Sequence, residues 1–152
     1  PHARCVLHVH SIFSTVLACL KDPRLPAIDK NTAQFHNRVV VDAGFDGMAF
    51  VDEGERCAAM LSDPNKKVML MGNHGVMVLG SSVADAFNRL YYFERSAETY
   101  IRALQTGMVL NFLSNEVAEK TAQQWEGFDG SANAHFNELK SILDKEEADY
   151  KR

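Results

Sequence analysis

Lys67–Phe87 reads KVMLMGNHGVMVLGSSVADAF, and the architecture is best built outward from it. Lys67–Met71 and Val76–Leu79 are short apolar runs with the length and composition of buried strands. Between them, Gly72-Asn73-His74-Gly75 is the punctuation of a hairpin or sharp bend, since glycine and asparagine tolerate backbone angles that other residues resist. Ser82 then stands as an N-cap with an acid, Asp85, three residues on, which opens a helix. Val83, Ala86, Phe87, Leu90, Tyr91, Ala97, Ile101 and Leu104 form its apolar stripe, and Glu98 and Arg102 are spaced for an i,i+4 ion pair. Gly107 ends it. Strands and helices interleave along the chain, so the class is α/β or α+β, with helices covering a mostly short-stranded sheet.

Working back toward the N-terminus, Glu53–Ser62 carries Cys57, Ala58, Met60 and Leu61 on a helical pattern that Asp63-Pro64-Asn65 stops. Arg38–Val41 is a strand candidate, and Asp29–His36 is long enough for a short helix. Asp22-Pro23 and Pro26 force an extended loop before it. Ala3–His10 (ARCVLHVH) alternates in part and predicts a strand. Ser11 is the expected N-cap of the helix that follows, whose apolar positions are Ile12, Thr15, Val16, Cys19 and Leu20. Toward the C-terminus, helices are expected near Glu116–Trp125 and Ala132–Asp144, followed by a charged tail at Lys145–Arg152. Residues 1–152 thus read as one domain, with 108–152 as a helical extension.

The composition narrows the function classes. Sixteen Lys+Arg against twenty Asp+Glu give a net charge of −4. Nucleic acid and anionic membrane surfaces both ask for a basic face, so neither is expected as a partner. The longest apolar stretch, around Val16–Leu20, is too short to span a bilayer. Cys5, Cys19 and Cys57 are odd in number and form no CxxC pair. They are expected to be small buried hydrophobes in a reducing cytoplasm. Pro1-His2-Ala3-Arg4 runs straight into an apolar strand without an initiator Met, as the interior of a longer polypeptide would.

The histidines carry the chemistry. His8 and His10 are two apart in a strand, so both imidazoles share one face and can reach one ion. They sit at the strand's C-terminal end, where open α/β sheets place their chemistry. A catalytic zinc-type site needs a third ligand from elsewhere in the fold, and His74 is the candidate. Gly72 and Gly75 beside it allow a tight bend and a close approach. A strand pair of histidines can also be simply hydrogen-bonded, and a histidine in a glycine-rich turn can cap its own loop. His2 and His36 suit surface or loop roles, and His135, on a helix beside Phe136, a solvated or partly packed one.

VLHVHS (Val6–Ser11), LPAI (Leu25–Ile28), KVMLMGNHGVMVLGSSVADAF (Lys67–Phe87) and the helix leading to Glu94-Arg95 together resemble the class II aldolase/adducin family, from about residue 3 to about residue 107. The resemblance implies a three-layer α/β/α domain with a central mixed, largely antiparallel sheet, assembled as a homotetramer. It implies a divalent metal ion, commonly zinc, at the boundary between subunits, with His8, His10 and His74 as ligands. It also implies that the chain starts inside the domain, because the acidic catalytic residue and phosphate-binding loops of the sugar-phosphate aldolases and epimerases precede the HxH strand. Where the aldolase branch has a tyrosine, this chain reads Asp29-Lys30-Asn31-Thr32. Where the epimerase branch has an acid, Gln34 falls. The likeness is closer to the adducin-like branch of unassigned function.

The activity expected from this resemblance is aldolase-type C–C cleavage of a small hydroxy-carbonyl or sugar-phosphate-like substrate. A metal-stabilised enediolate would carry the charge, and the sequence identifies no base to move the proton. Two rivals stand beside it: a non-catalytic, adducin-head-like assembly module, and an epimerase, decarboxylase or dehydratase on the same fold.

Overall fold

The structure is a computed structural model that describes residues 3–45, 47, 50–128 and 130–151. Its centre is a four-stranded mixed sheet in the order β1-β4-β3-β2, with β1 Cys5–Val9, β2 Val39–Asp42, β3 Val68–Met71 and β4 Gly75–Gly80. β1 pairs antiparallel with β4, β4 antiparallel with β3, and β3 parallel with β2. β3 and β4 lie in the middle, and every residue of β3 is buried, as expected of a strand covered on both faces. β1 alternates between half-buried and exposed positions. Cys5, Leu7 and Val9 face the core, while Val6 and His8 face out, with His10 continuing the outer row.

Helices cover both faces of the sheet. On one, α1 (Ile12–Ala18), α2 (Lys30–Ala33) and the long α4 (Val83–Gln105) bury Leu17, Ala18, Phe35, Ala86, Phe93, Ala97 and Ile101 against Val68, Leu70, Val76 and Val78. The Phe35 and Phe93 rings meet edge to face at 5.0 Å. On the other face, α3 (Phe50–Met60) and the turn after it set Cys57 and Leu61 on Met69, Met71 and Leu79. α5 (Asn115–Glu126) and α6 (Ser131–Glu146) follow, and a short 3₁₀ turn over Ala148–Lys151 closes the described chain. This is the α/β/α layering, on a mixed and largely antiparallel sheet, that the family resemblance implies.

Local signals set most boundaries. Ser82 caps α4 by accepting the Asp85 N–H, and Gly107, at φ +67°, ends it in the left-handed region. The Glu98–Arg102 pair forms at 2.8 Å. Asp29 and Thr32 make a reciprocal capping box at the start of α2. The segment that lacks the aldolase-branch tyrosine therefore has a structural task here.

Two helix faces differ from expectation. In α1 the residues in the core are Ser14, Leu17 and Ala18, whereas Ile12 is 73% exposed and Val16 and Leu20 stand open as well. The apolar stripe at i, i+4, i+8 is the outer face, because α1 packs on α4 and the sheet through small residues and one leucine. In α4 the buried centre is Phe93, while Val83, Tyr91 and Leu104 of the expected stripe are exposed. Ala86, Ala97 and Ile101 of that stripe are buried, and Phe93 beside them meets Phe35. Of the three free cysteines only Cys57 is buried; Cys5 is half-buried and Cys19 exposed.

The α1 face is tested by paired substitutions. Leu17→Ala is expected to cost about 2–5 kcal/mol in urea unfolding, as a fully buried leucine does, and Val16→Ala less than about 0.5 kcal/mol. A larger loss at Val16 would reverse the assignment.

Candidate metal centre

The β1–β4 register decides where the histidines meet. Val9 lies opposite Val76 and His8 opposite Met77, so the C-terminal end of β1 runs beside the β3–β4 hairpin that holds His74. The rings of His8, His10 and His74 form a nearly equilateral set. Their centroids are 5.0 Å apart for His8–His10 and 4.9 Å apart for each pair with His74. One nitrogen from each ring lies within 4.8 Å of the other two, and Nε2 of His8 is 3.1 Å from Nε2 of His10.

The protein orients these rings. His8 Nδ1–H donates to the Val76 carbonyl at 3.1 Å, which fixes the tautomer and leaves the Nε2 lone pair free. Partial burial, which disfavours the charged imidazolium, lowers the His8 pKa against the upward pull of that hydrogen bond. The adjacent His74 and His10 lower it further. The imidazole is therefore neutral at pH 7, the form that binds a metal. The hairpin is pinned from both sides: Gly72 N–H donates to the Asp42 carbonyl at 2.7 Å and Asn73 N–H to the Ala18 carbonyl at 3.0 Å. The left-handed residue of the bend is Asn73, at φ +57°, rather than either glycine.

Gly75 is required by space. A Cβ there would sit 2.7 Å from both Cδ2 of His10 and the Val9 carbonyl oxygen, and 3.4 Å from Cε1 of His8. Gly75→Ala is expected to cost about 1–3 kcal/mol through overpacking. It is also expected to separate the His10 and His74 rings, read as loss of ring–ring contacts in an NMR or crystal structure.

Glu94 anchors the segment that follows His10. Its carboxylate accepts hydrogen bonds from Ser11 Oγ (2.7 Å), Phe13 N (2.7 Å), Ser14 N (2.9 Å) and Ser14 Oγ (2.6 Å). A side chain from α4 therefore caps the N-terminus of α1, where negative charge is favoured. Ser11 holds the N-cap position but makes no capping bond with its own side chain. Burial would raise the Glu94 pKa; the hydrogen bonds from Ser14, Ser11 and Phe13 outweigh it and hold the carboxyl below its ordinary value. The folded value lies below the unfolded one, so the stabilisation is present above the ordinary glutamate range and fades as pH falls through the folded pKa. Glu94→Gln is expected to cost about 1.5–3 kcal/mol near neutral pH, with the gap to wild type narrowing in denaturant titrations as pH falls below the ordinary glutamate range.

The other sequence candidates lie elsewhere. His36 is half-buried, and its carbonyl accepts from Arg38. His135 docks α6 on α4 through a 2.8 Å hydrogen bond to Asn88 Oδ1 and edge-on contact with Tyr91 at 4.8 Å. His2 is outside the described residues. Gln34 borders a cavity of about 480 Å³ at the opposite end of the sheet, beside Arg38, Lys67 and Ser82. Sequence reading missed two carboxylates. Glu53 of α3 places Oε1 3.5 Å from Nδ1 of His74, a contact no local pattern announces. Glu94 was detectable in its role, since Leu90, Glu94, Ala97 and Ile101 share one helix face and an acid on a core face needs partners.

Three imidazoles suit a divalent cation, and the fit rests on the His8 tautomer, the clearance at Gly75 and the short separations between the rings. Fold and site together define an α/β/α domain with a candidate trihistidine metal centre. The profile described as Class II Aldolase and Adducin N-terminal domain matches residues 1–101, and the chain belongs to that family. An aldolase II superfamily protein from Pseudomonas syringae superposes with a TM-score of 0.87 at 30% identity, over 99% of this chain and 60% of its own. The fold of an L-fuculose 1-phosphate aldolase from Glaciozyma antarctica PI12 also matches, with a TM-score of 0.78 at 17% identity, over 95% of this chain and 55% of that one. Human beta-adducin is 28% identical over 141 residues, covering 84% of this chain and 18% of its own length. The meiotically up-regulated gene 14 protein of Schizosaccharomyces pombe is 33% identical over 99 residues, 64% of this chain and 37% of its own. The chain thus spans less than two thirds of each of these relatives. Among the described residues, no helix is long and apolar enough to cross a membrane.

Proposed function

We propose that His8, His10 and His74 hold one divalent cation, zinc in the first instance, and that the chain is the metal-bearing part of a lyase. Its substrate would be a small hydroxy-carbonyl or sugar-phosphate-like compound cleaved at a C–C bond. The observation that carries this reading is the convergence of three imidazole nitrogens within 4.8 Å. A bound ion supplies a Lewis acid where negative charge develops on substrate oxygen. The chain's own residues do the rest. His8 is neutral and held in one tautomer by Val76. Glu94 and Gly75 keep the HxH segment and the hairpin at bonding distance. Three protein ligands are the number typical of a catalytic rather than a structural site. The outward, solvent-exposed setting of His8 and His10 gives a substrate access.

The same reading includes a homotetramer in the cytoplasm with the metal near a subunit boundary. The exposed apolar residues Ile12 and Val16, on the helix that follows His10, support such an interface. A second reading, a non-catalytic assembly module, is favoured by one observation. The likeness to beta-adducin runs over 141 residues, well past the family match at residues 1–101. The histidines tip the balance toward an enzyme, because a scaffold has no use for three converging ligands.

Elemental analysis of the purified full-length protein tests the proposal. One equivalent of divalent metal per chain is expected, lost in His74→Ala while the circular dichroism spectrum is retained. Full metal occupancy in that variant would contradict the ligand set. Product analysis on hydroxy-aldehydes and keto acids, with and without chelator, separates the lyase from an epimerase or decarboxylase.

A further inference from the structure

We propose that Glu53 is a positioning residue of this centre: its carboxylate accepts the Nδ1–H of His74 and holds that ring with Nε2 turned toward His8 and His10. The inference rests on the metal-centre reading above and adds a residue to it. His74 Nδ1 is buried and has no hydrogen-bond partner in the structure. A buried ring nitrogen left unpaired is unfavourable, and here a carboxylate oxygen stands 3.5 Å away. That separation is just beyond hydrogen-bond range, and a small rotation of either side chain closes it.

Placement supports the pairing. Glu53 lies one turn before Cys57, the α3 residue buried against Met69, Met71 and Leu79, so it points to the sheet face that also carries His8 and His10. Phe45, its ring 5.7 Å from that of His74, flanks the imidazole on another side. Glu53 and His74 are only 22% and 25% exposed at their side chains. Among the described residues, His74 is the one basic group within ion-pair distance of Glu53. Arg56, a turn further along α3, is engaged by Asp42. The result mirrors His8, where the outer nitrogen is fixed by the Val76 carbonyl and the inner one is left for the ion. A carboxylate on the outer nitrogen orients a metal-bound histidine and makes it a stronger donor.

The test uses the full-length protein with Zn²⁺ and Co²⁺ as probes. Chelator competition is expected to show Glu53→Ala binding Zn²⁺ about 10–100-fold more weakly than wild type. Glu53→Gln should lose less, because its amide oxygen still accepts from Nδ1–H. The Co²⁺ absorption bands of both variants should keep the wild-type positions, since the three imidazoles remain. In the metal-free protein, ¹⁵N spectra of the imidazoles should show His74 as the Nδ1–H tautomer, and a mixture in Glu53→Ala. Wild-type zinc affinity in Glu53→Ala with an unchanged His74 tautomer would overturn the proposal. So would shifted Co²⁺ bands, which would make Glu53 a direct ligand. Failure of the wild type itself to bind metal would sink the metal-centre reading instead, and the tautomer measurement would still decide the role of Glu53.

Discussion

The pairing of β1 with β4 is the constraint on which the rest depends. Antiparallel register sets Cys5 against Gly80 at one end and Val9 against Val76 at the other. Because side chains alternate along a strand, that register puts His8 and His10 on the same outer face, beside the hairpin that presents His74. A slip of one residue would turn both imidazoles into the core and bring Cys5, Leu7 and Val9 out to solvent. The apolar cost of that exchange holds the site in place. The hydrophobic core thus does more than stabilise the domain; it selects the arrangement in which three rings meet.

Fine positioning is shared among contacts that arrive from distant parts of the chain. Glu94 reaches from the middle of α4 to the start of α1 and fixes the residues after His10. Asp42 and Ala18 offer backbone carbonyls, from the end of β2 and the end of α1, to the hairpin amides. Gly75 contributes by lacking a side chain, which lets the His10 ring approach the hairpin closely. Each acts on a different element, so the geometry is over-determined. Supporting contacts of this kind hold site residues in one geometry.

Much of this was legible in the sequence. The strands at Lys67–Met71 and Val76–Leu79, the bend between them and the capped helix after Ser82 follow from apolar runs and turn residues. Family likeness supplied the order of layers, while the HxH spacing in the first strand and the glycines flanking His74 singled out His8, His10 and His74. Helix rotation was less legible. Ile12, Val16 and Leu20 make a persuasive stripe, yet the core took Ser14, Leu17 and Ala18, because close packing of α1 on α4 favours small side chains over apolar bulk. Phe93 was passed over for a similar reason: its partner, Phe35, lies on another element and has no local trace. Glu53 and Glu94 act across long sequence separations, so their roles appear only once the chain is folded.

The trihistidine centre is open to a direct measurement: a crystal structure of the full-length protein grown with zinc, with anomalous data collected at the zinc edge. A single strong peak per chain is expected, within bonding distance of one nitrogen each from His8, His10 and His74. An ordered cluster of the same three rings with no peak at saturating zinc, or a peak bound elsewhere, would contradict it.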